Sequence, residues 1–77
     1  MKLNELTEGE TAIVVEIGLI GAIRRRLLDL GLVEGTKIEC VLKSLKGDPI
    51  AYRIRGALIA LRNSDSRQII VKKRGTK

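Results

Sequence analysis

Histidine, tryptophan and phenylalanine are absent from the 77 residues, and cysteine, methionine, proline and tyrosine occur once each. Without histidine, neither a Ser-His-Asp nor a Cys-His catalytic arrangement can form. The lone Cys40 cannot close an intrachain disulfide. It also falls short of the roughly four nitrogen and sulfur ligands of a zinc-finger site. These absences predict a non-enzymatic domain that is held together by aliphatic packing.

A long apolar segment is also missing. The longest uncharged run covers residues 17–23, whereas a helix needs roughly 20 apolar residues to span a bilayer. Residues 1–10 are polar and acidic and lack the apolar core of a secretory signal. The lack of a disulfide framework is typical of a reducing compartment. We therefore expect a cytoplasmic protein with a single domain over residues 1–77, in which residues 73–77 form a disordered basic tail.

Basic residues outnumber acidic ones by 15 to 9, which gives a net charge of +6. Such a balance is typical of proteins that meet nucleic acid, a membrane surface or an acidic protein patch. It is equally consistent with a surface that only keeps a small protein in solution. Proteins that bind single-stranded nucleic acid stack bases on exposed aromatic rings. The one aromatic side chain, Tyr52, is expected to point inward, so nucleic acid is the weaker interpretation.

Hydrophobic periodicity predicts about five short strands and one helix. In residues 11–17, Ile13, Val15 and Ile17 share one face by the period-two rule. The period then changes to that of a helix, and the apolar stripe of residues 18–31 comprises Ile20, Ile23, Leu27 and Leu30. Further strands are expected at residues 36–43, 50–55, 57–62 and 68–72. The pattern predicts a mainly β fold, a small curled barrel with one α-helix inserted after the first strand.

Within the second and third strands, alternation assigns the inward positions. Ile38, Cys40 and Leu42 are expected to face the core, and Tyr52 faces the same way from the third strand. Cys40 is therefore interpreted as a small buried apolar residue and not as a reactive thiol.

Glycines mark the connections between these elements. Gly31 follows the helical stripe and suits the left-handed position that ends many helices, with Leu27 and Leu32 as the apolar pair of that cap. Three more glycines lie in predicted turns: Gly35, Gly47 and Gly56. We interpret all four as structural.

The helix carries three consecutive arginines, Arg24, Arg25 and Arg26, beside Leu28. An exposed leucine bordered by arginine is typical of a protein-binding patch. A solvated helix flank, with arginine stems lying on the barrel, explains the same residues equally well.

Several short motifs occur in a fixed order: RLLDLGLVEGT at residues 26–36, GDPI at 47–50, Gly56 and IALR at 59–62. In this order and spacing the chain, from about residue 6 to 71, resembles the ferrous iron transport protein A (FeoA) family. The resemblance implies a cytoplasmic SH3-like barrel, similar also to the C-terminal domain of diphtheria toxin repressor-type iron regulators. It further implies an accessory of ferrous iron transport protein B, a membrane permease with a cytoplasmic GTPase domain that could recruit the chain to the inner face of the membrane.

The leading hypothesis is therefore a non-enzymatic module that binds the cytoplasmic region of this permease and modulates its assembly or activity. The expected contact residues lie on the helix and in the loop that follows the second strand: Arg24, Arg25, Arg26, Leu28, Asp29, Lys46, Asp48 and Pro49. The alternatives are a regulatory domain that binds transition metals and a nucleic-acid-binding barrel.

No cofactor is expected, and any binding of Fe²⁺, Mn²⁺ or Zn²⁺ should be weak because histidine is absent. Glu5, Glu8 and Glu10 could hold a hard cation loosely. A solvated acidic edge is the favoured interpretation of these three residues.

Overall fold

Five antiparallel strands form one sheet in the computed structural model, which describes residues 1–74. The strands are β1 (Thr11–Ile17), β2 (Lys37–Lys43), β3 (Ile50–Ile54), β4 (Ala57–Leu61) and β5 (Ile69–Lys73). Helix α1 (Gly21–Asp29) follows β1, and the short helix α2 (Asn63–Ser66) precedes β5. The spatial order is β4-β3-β2-β1-β5. The predicted mainly β fold with a helix after the first strand is confirmed, whereas α2 lies between two predicted strands where no helix was expected.

The core is built from aliphatic side chains of every strand together with α1 and the N-terminal segment. Tyr52 is its only aromatic member and is 0% exposed, as the alternation of β3 predicts. Cys40 is also fully buried, as expected. Tyr52 is also the one aromatic residue of the sequence, so no aromatic ring is exposed on which a nucleotide base could stack.

Two β-bulges change which residues of β1 and β2 face the core. Between β1 and β5, Val15 is an extra residue without a partner, and Val41 is its counterpart between β2 and β3. An inserted residue reverses the alternation beyond it. The expected inward direction of Leu42 is therefore wrong, since this side chain is 59% exposed. The expected common face of β1 is also wrong, because Val15 is 47% exposed whereas Ile17, beyond the bulge, packs against the core.

Helix α1 begins later than its apolar stripe suggests. Ile20 lies at the N-cap with extended backbone and is 83% exposed, so it does not belong to the buried stripe. At the other end, the N–H of Leu32 donates to the carbonyl of Leu27 and the N–H of Gly31 donates to that of Leu28, both at 2.9 Å. These two bonds define a Schellman cap and confirm the predicted role of Gly31.

The two edges of the sheet differ in how they are covered. Beside β5, the Met1 ammonium donates to the carbonyl of Val71, and the N–H of Val71 donates to the carbonyl of Met1. Strand β5 extends to Lys73, which pairs with Ala12, so the predicted tail does not begin at Lys73. The rest of that prediction, residues 75–77, lies outside the described residues. Strand β4 forms the opposite edge.

Candidate functional site

One face of α1 forms a shallow cleft of about 600 Å³. Its lining residues are Gly21, Ala22, Arg24, Arg25, Leu28 and Asp29. Leu28 is 39% exposed, and Arg25 and Asp29 are exposed on either side of it. The structure therefore brings together four of the predicted contact residues as an apolar floor between charges of both signs. Arg26 is also exposed but lies outside the lining of this cleft.

Arg24 differs from its two neighbours because its guanidinium is tied to the backbone. Its Nη1 donates to the carbonyl of Ile17 at 2.8 Å and to that of Leu19 at 3.3 Å. Ile17 ends β1 and Leu19 lies in the connection to α1, so Arg24 holds the helix against the end of the strand. No signal in a run of three identical residues distinguishes this anchor from the other two.

A second polar centre lies at the C-terminal end of α1. The carbonyl of Gly31 accepts hydrogen bonds from Arg55 Nε at 3.0 Å and from the Thr36 hydroxyl at 3.2 Å. Arg55 occupies the turn between β3 and β4 with φ of 48°, a backbone conformation that costs energy for a residue with a side chain. The sequence pattern pointed to Gly56 in this turn and missed Arg55.

Arg55 also lines a second cleft, of about 360 Å³, on the outward face of the sheet. Lys37 and Arg53 extend into the same cleft from β2 and β3, together with Glu39. Glu39 Oε1 lies 3.3 Å from Arg53 Nη1, an exposed ion pair. Three cations against one carboxylate leave this cleft positively charged.

The loop of residues 44–49 is held by its own polar groups. The Asp48 carboxylate accepts the N–H of Asn63 at 2.9 Å, and the Asn63 side chain donates to the carbonyl of Gly47 at 2.9 Å. Asp48 therefore caps the start of α2, and a cis peptide joins it to the exposed Pro49. Lys46 is exposed. The GDPI motif thus ties the loop between β2 and β3 to α2.

The two predicted contact regions do not share one cleft, because the lining of the α1 cleft includes no residue of the loop of residues 44–49. Helix α1 leads into the start of β2, whereas the loop with Lys46 and Pro49 follows the end of β2.

Each of the three acidic residues near the N-terminus forms a hydrogen bond or an ion pair with a different residue. Glu5 accepts the N–H of Lys2 and Glu8 accepts that of Lys43. Glu10 lies 2.6 Å from Lys73 Nζ. The hydrogen bond from Lys73 is the main reason why the pKa of Glu10 falls from 4.5 to about 2.

No grouping of three or more potential ligands drawn from Cys, Asp and Glu occurs within residues 1–74. Cys40 is buried, and that burial raises the pKa of its thiol. A thiol that resists ionisation is a poor metal ligand. The same part of the chain contains no helix that is long and apolar enough to cross a membrane.

Residues 1–73 match the model of the FeoA domain. The chain belongs to the FeoA family. A curated relative in Porphyromonas gingivalis, a fusion of Fe(2+) transport protein A with the Fe(2+) transporter FeoB, is 37% identical over 71 residues. The match covers 92% of this chain but 8% of that fusion.

Solved structures of other FeoA proteins share the fold. The FeoA protein of Chlorobium tepidum superimposes with a TM-score of 0.92 at 39% identity, covering 97% of this chain and 71% of that one. A zinc complex of Stenotrophomonas maltophilia FeoA, described as a prokaryotic SH3 domain protein, superimposes with a TM-score of 0.82 at 32% identity. The match covers 94% of this chain and 89% of that one. A manganese-dependent transcriptional repressor superimposes with a TM-score of 0.82 at 17% identity, and the match covers 96% of this chain and 41% of that one. This similarity shows a common fold. The predicted SH3-like architecture is confirmed.

Proposed function

We propose that this FeoA-family chain is a non-enzymatic accessory of ferrous iron uptake that binds the cytoplasmic region of the ferrous iron transporter and modulates its assembly or activity. The observation that carries the proposal is the Porphyromonas gingivalis relative, in which a homologous domain and the transporter FeoB form one polypeptide. Covalent linkage keeps two domains at high effective concentration. It is typical of domains that also associate when they are separate chains.

The α1 cleft is the proposed contact surface. Leu28 offers an apolar anchor, and Arg25 and Asp29 flank it with opposite charges. A small number of apolar and arginine side chains commonly carry most of the energy of a protein interface. Arg24 supports this surface indirectly, because it fixes the start of the helix.

Titration of the ¹⁵N-labelled chain with the transporter's cytoplasmic GTP-binding region, followed by the full-length transporter in nanodiscs, tests the proposal. We expect shifts of the α1 amides and an affinity that Leu28→Lys lowers about tenfold. Val15→Lys is the matched control, since Val15 is also exposed but lies on β1. Lys46→Glu tests the loop of residues 44–49 separately. Failure to bind either form of the transporter at low salt would refute the function.

Two further measurements separate the alternatives. Calorimetry with Fe²⁺, Mn²⁺ and Zn²⁺ should show no micromolar binding, and tight binding of one of them would favour the metal-binding regulatory domain instead. A gel-shift series at low salt should show no complex with single-stranded nucleic acid. A complex with a steep salt dependence would favour the nucleic-acid-binding barrel.

A further inference from the structure

Strand β4 is an edge strand with backbone groups that have no partner in the sheet. The turn between β3 and β4 has two residues, both with positive φ, which is typical of a type I′ hairpin. In such a turn the flanking residues, Ile54 and Ala57, form a hydrogen-bonded pair. Bonding then alternates along the strand. Leu58 and Ala60 consequently direct their N–H and C=O groups away from β3.

These backbone groups are accessible. Beyond the strand ladders, neither Leu58 nor Ala60 forms a backbone hydrogen bond with any described residue. Leu58 is 59% exposed and Ala60 is also exposed. Two N–H and two C=O groups in one row are sufficient to template a short additional strand.

Proteins usually protect such an edge, and the opposite edge of this sheet is protected. There, Lys2 forms a bridge to Ile70 next to the Met1 and Val71 hydrogen bonds. Lys73, the last residue of β5, adds a positive charge to the same edge. Strand β4 has none of these features, because its sequence ALIAL contains no proline and no charge and its pairing with β3 has no bulge. An unprotected edge of this kind is a common docking site for an extended segment.

The side chains along this edge are apolar at the centre and basic at both ends. Leu58 and Ala60 project outward between Arg55, in the preceding turn, and Arg62, which follows the strand. Arg53 is the cross-strand neighbour of Leu58 and adds a further positive charge at the centre. The cleft with Lys37 and Glu39 continues this surface across β3 and β2.

The charges argue against a second copy of the chain as the occupant. Antiparallel pairing of two β4 strands centred on Ile59 would place Arg62 of each copy opposite Gly56 of the other and next to its Arg55, so arginines would crowd both ends. Like charges on adjacent cross-strand positions repel one another and destabilise such a pairing. An extended segment with acidic residues would pair favourably with the same positions.

We infer that the β4 edge binds an extended acidic segment of the partner protein as an added strand. Apolar side chains of that segment pack on Leu58 and Ala60, and carboxylates pair with Arg55 and Arg62. The segment's backbone completes the hydrogen bonds of Leu58 and Ala60. This inference rests on the proposed function, since the segment belongs to the same cytoplasmic region of the transporter.

Two substitutions test the edge with different chemistry. Ala60→Pro removes an N–H that points away from β3, so the native ladder keeps its bonds. Leu58→Lys places a charge on the docking face and leaves the backbone unchanged. Val15→Lys again serves as the control, because two strands separate β1 from β4. Thermal melts of each variant verify that the fold is retained.

Affinity for the full-length transporter in nanodiscs is the first readout, and amide hydrogen exchange is the second. We expect each edge variant to weaken binding about tenfold. In the wild-type complex, the amides of Leu58 and Ala60 should become protected from exchange, because an added strand accepts their hydrogen bonds.

Three outcomes would overturn the inference. If wild type and both edge variants bind equally, the proposed function stands and the β4 edge is not the contact. If ultracentrifugation shows a dimer of the chain that Ala60→Pro dissociates, a second copy is the occupant. If the wild type does not bind the transporter, the proposed function fails and the inference fails with it.

Discussion

Replacing Gly31 with alanine perturbs the junction between α1 and the β3–β4 turn. Gly31 has φ of +97°, in the left-handed region. A Cβ atom there would lie 2.5 Å from Arg55 Cδ and 3.0 Å from Arg55 Nε. The arginine must therefore move, and it then loses its hydrogen bond to the Gly31 carbonyl.

The expected cost follows from three contributions. Alanine in the left-handed region costs about 1–2 kcal/mol, and the smaller entropy of the unfolded chain offsets about 0.4–1 kcal/mol of this. Loss of the Arg55 hydrogen bond adds about 1 kcal/mol. We expect Gly31→Ala to lower the free energy of unfolding by about 2 kcal/mol, which is a decrease in Tm of about 10 °C for a domain of this size.

Gly35→Ala is the matched control. Gly35 has nearly the same conformation, with φ of +90°, but its Cβ would meet nothing within 4 Å. Only the backbone contribution then applies, and we expect a loss of about 1 kcal/mol. In an Arg55→Ala background, Gly31→Ala should cost the same as Gly35→Ala because the obstructing side chain is absent.

Urea denaturation followed by circular dichroism measures all of these differences. Equal losses for Gly31→Ala and Gly35→Ala in the wild-type background would refute the reasoning. So would a Gly31→Ala cost that persists unchanged when Arg55 is alanine, because the contact between the two residues would then contribute nothing.

Three further predictions concern the polar loop, the acidic range of pH and the thiol. Asp48→Ala should lower the unfolding free energy by about 1 kcal/mol, because it removes the acceptor for the first N–H of α2. Asp48→Asn should retain most of the stability, because its amide oxygen also accepts a hydrogen bond. Equal losses for the two variants would contradict the capping role. The pKa of Glu10 falls from 4.5 to about 2 in the folded state, so its stabilising effect is complete above pH 4.5 and is lost as the pH falls towards 2. Glu10→Gln should therefore flatten the dependence of Tm on pH in this range, and an unchanged profile would rule out the pairing with Lys73. Cys40, which is 0% exposed, should react with a thiol reagent at the rate of unfolding, and a fast reaction in the native state would contradict its burial.

The period-two and helical patterns predict most of this architecture because they record which side of each element is apolar. Ile38 and Tyr52 face the core as alternation requires, and Gly31 caps α1 as its position after the stripe indicates. The errors in the facing of strand residues occur at bulges. The extra residues Val15 and Val41 are apolar and β-branched, which suits any strand position, so no sequence signal reveals that they are unpaired.

The candidate site is less predictable because it depends on long-range geometry. The run of arginines locates a polar helix face, but the tie between Arg24 and the carbonyl of Ile17 depends on how the helix packs. The sequence indicates only that Asp48 lies in a loop. Its role as a helix cap depends on the hydrogen bond from the N–H of Asn63, which is 15 residues away in the chain.

The mutual hydrogen bonds of Met1 and Val71 make the beginning of the chain a spatial neighbour of the middle of its last strand. A domain attached at either end therefore emerges beside β5, with three strands between it and β4. Tandem attachment at that side leaves the β4 edge free to face the attached domain or another molecule. The same proximity makes the chain suitable for circular permutation: a short linker can join the ends, and new termini can open between the exposed Leu45 and Lys46.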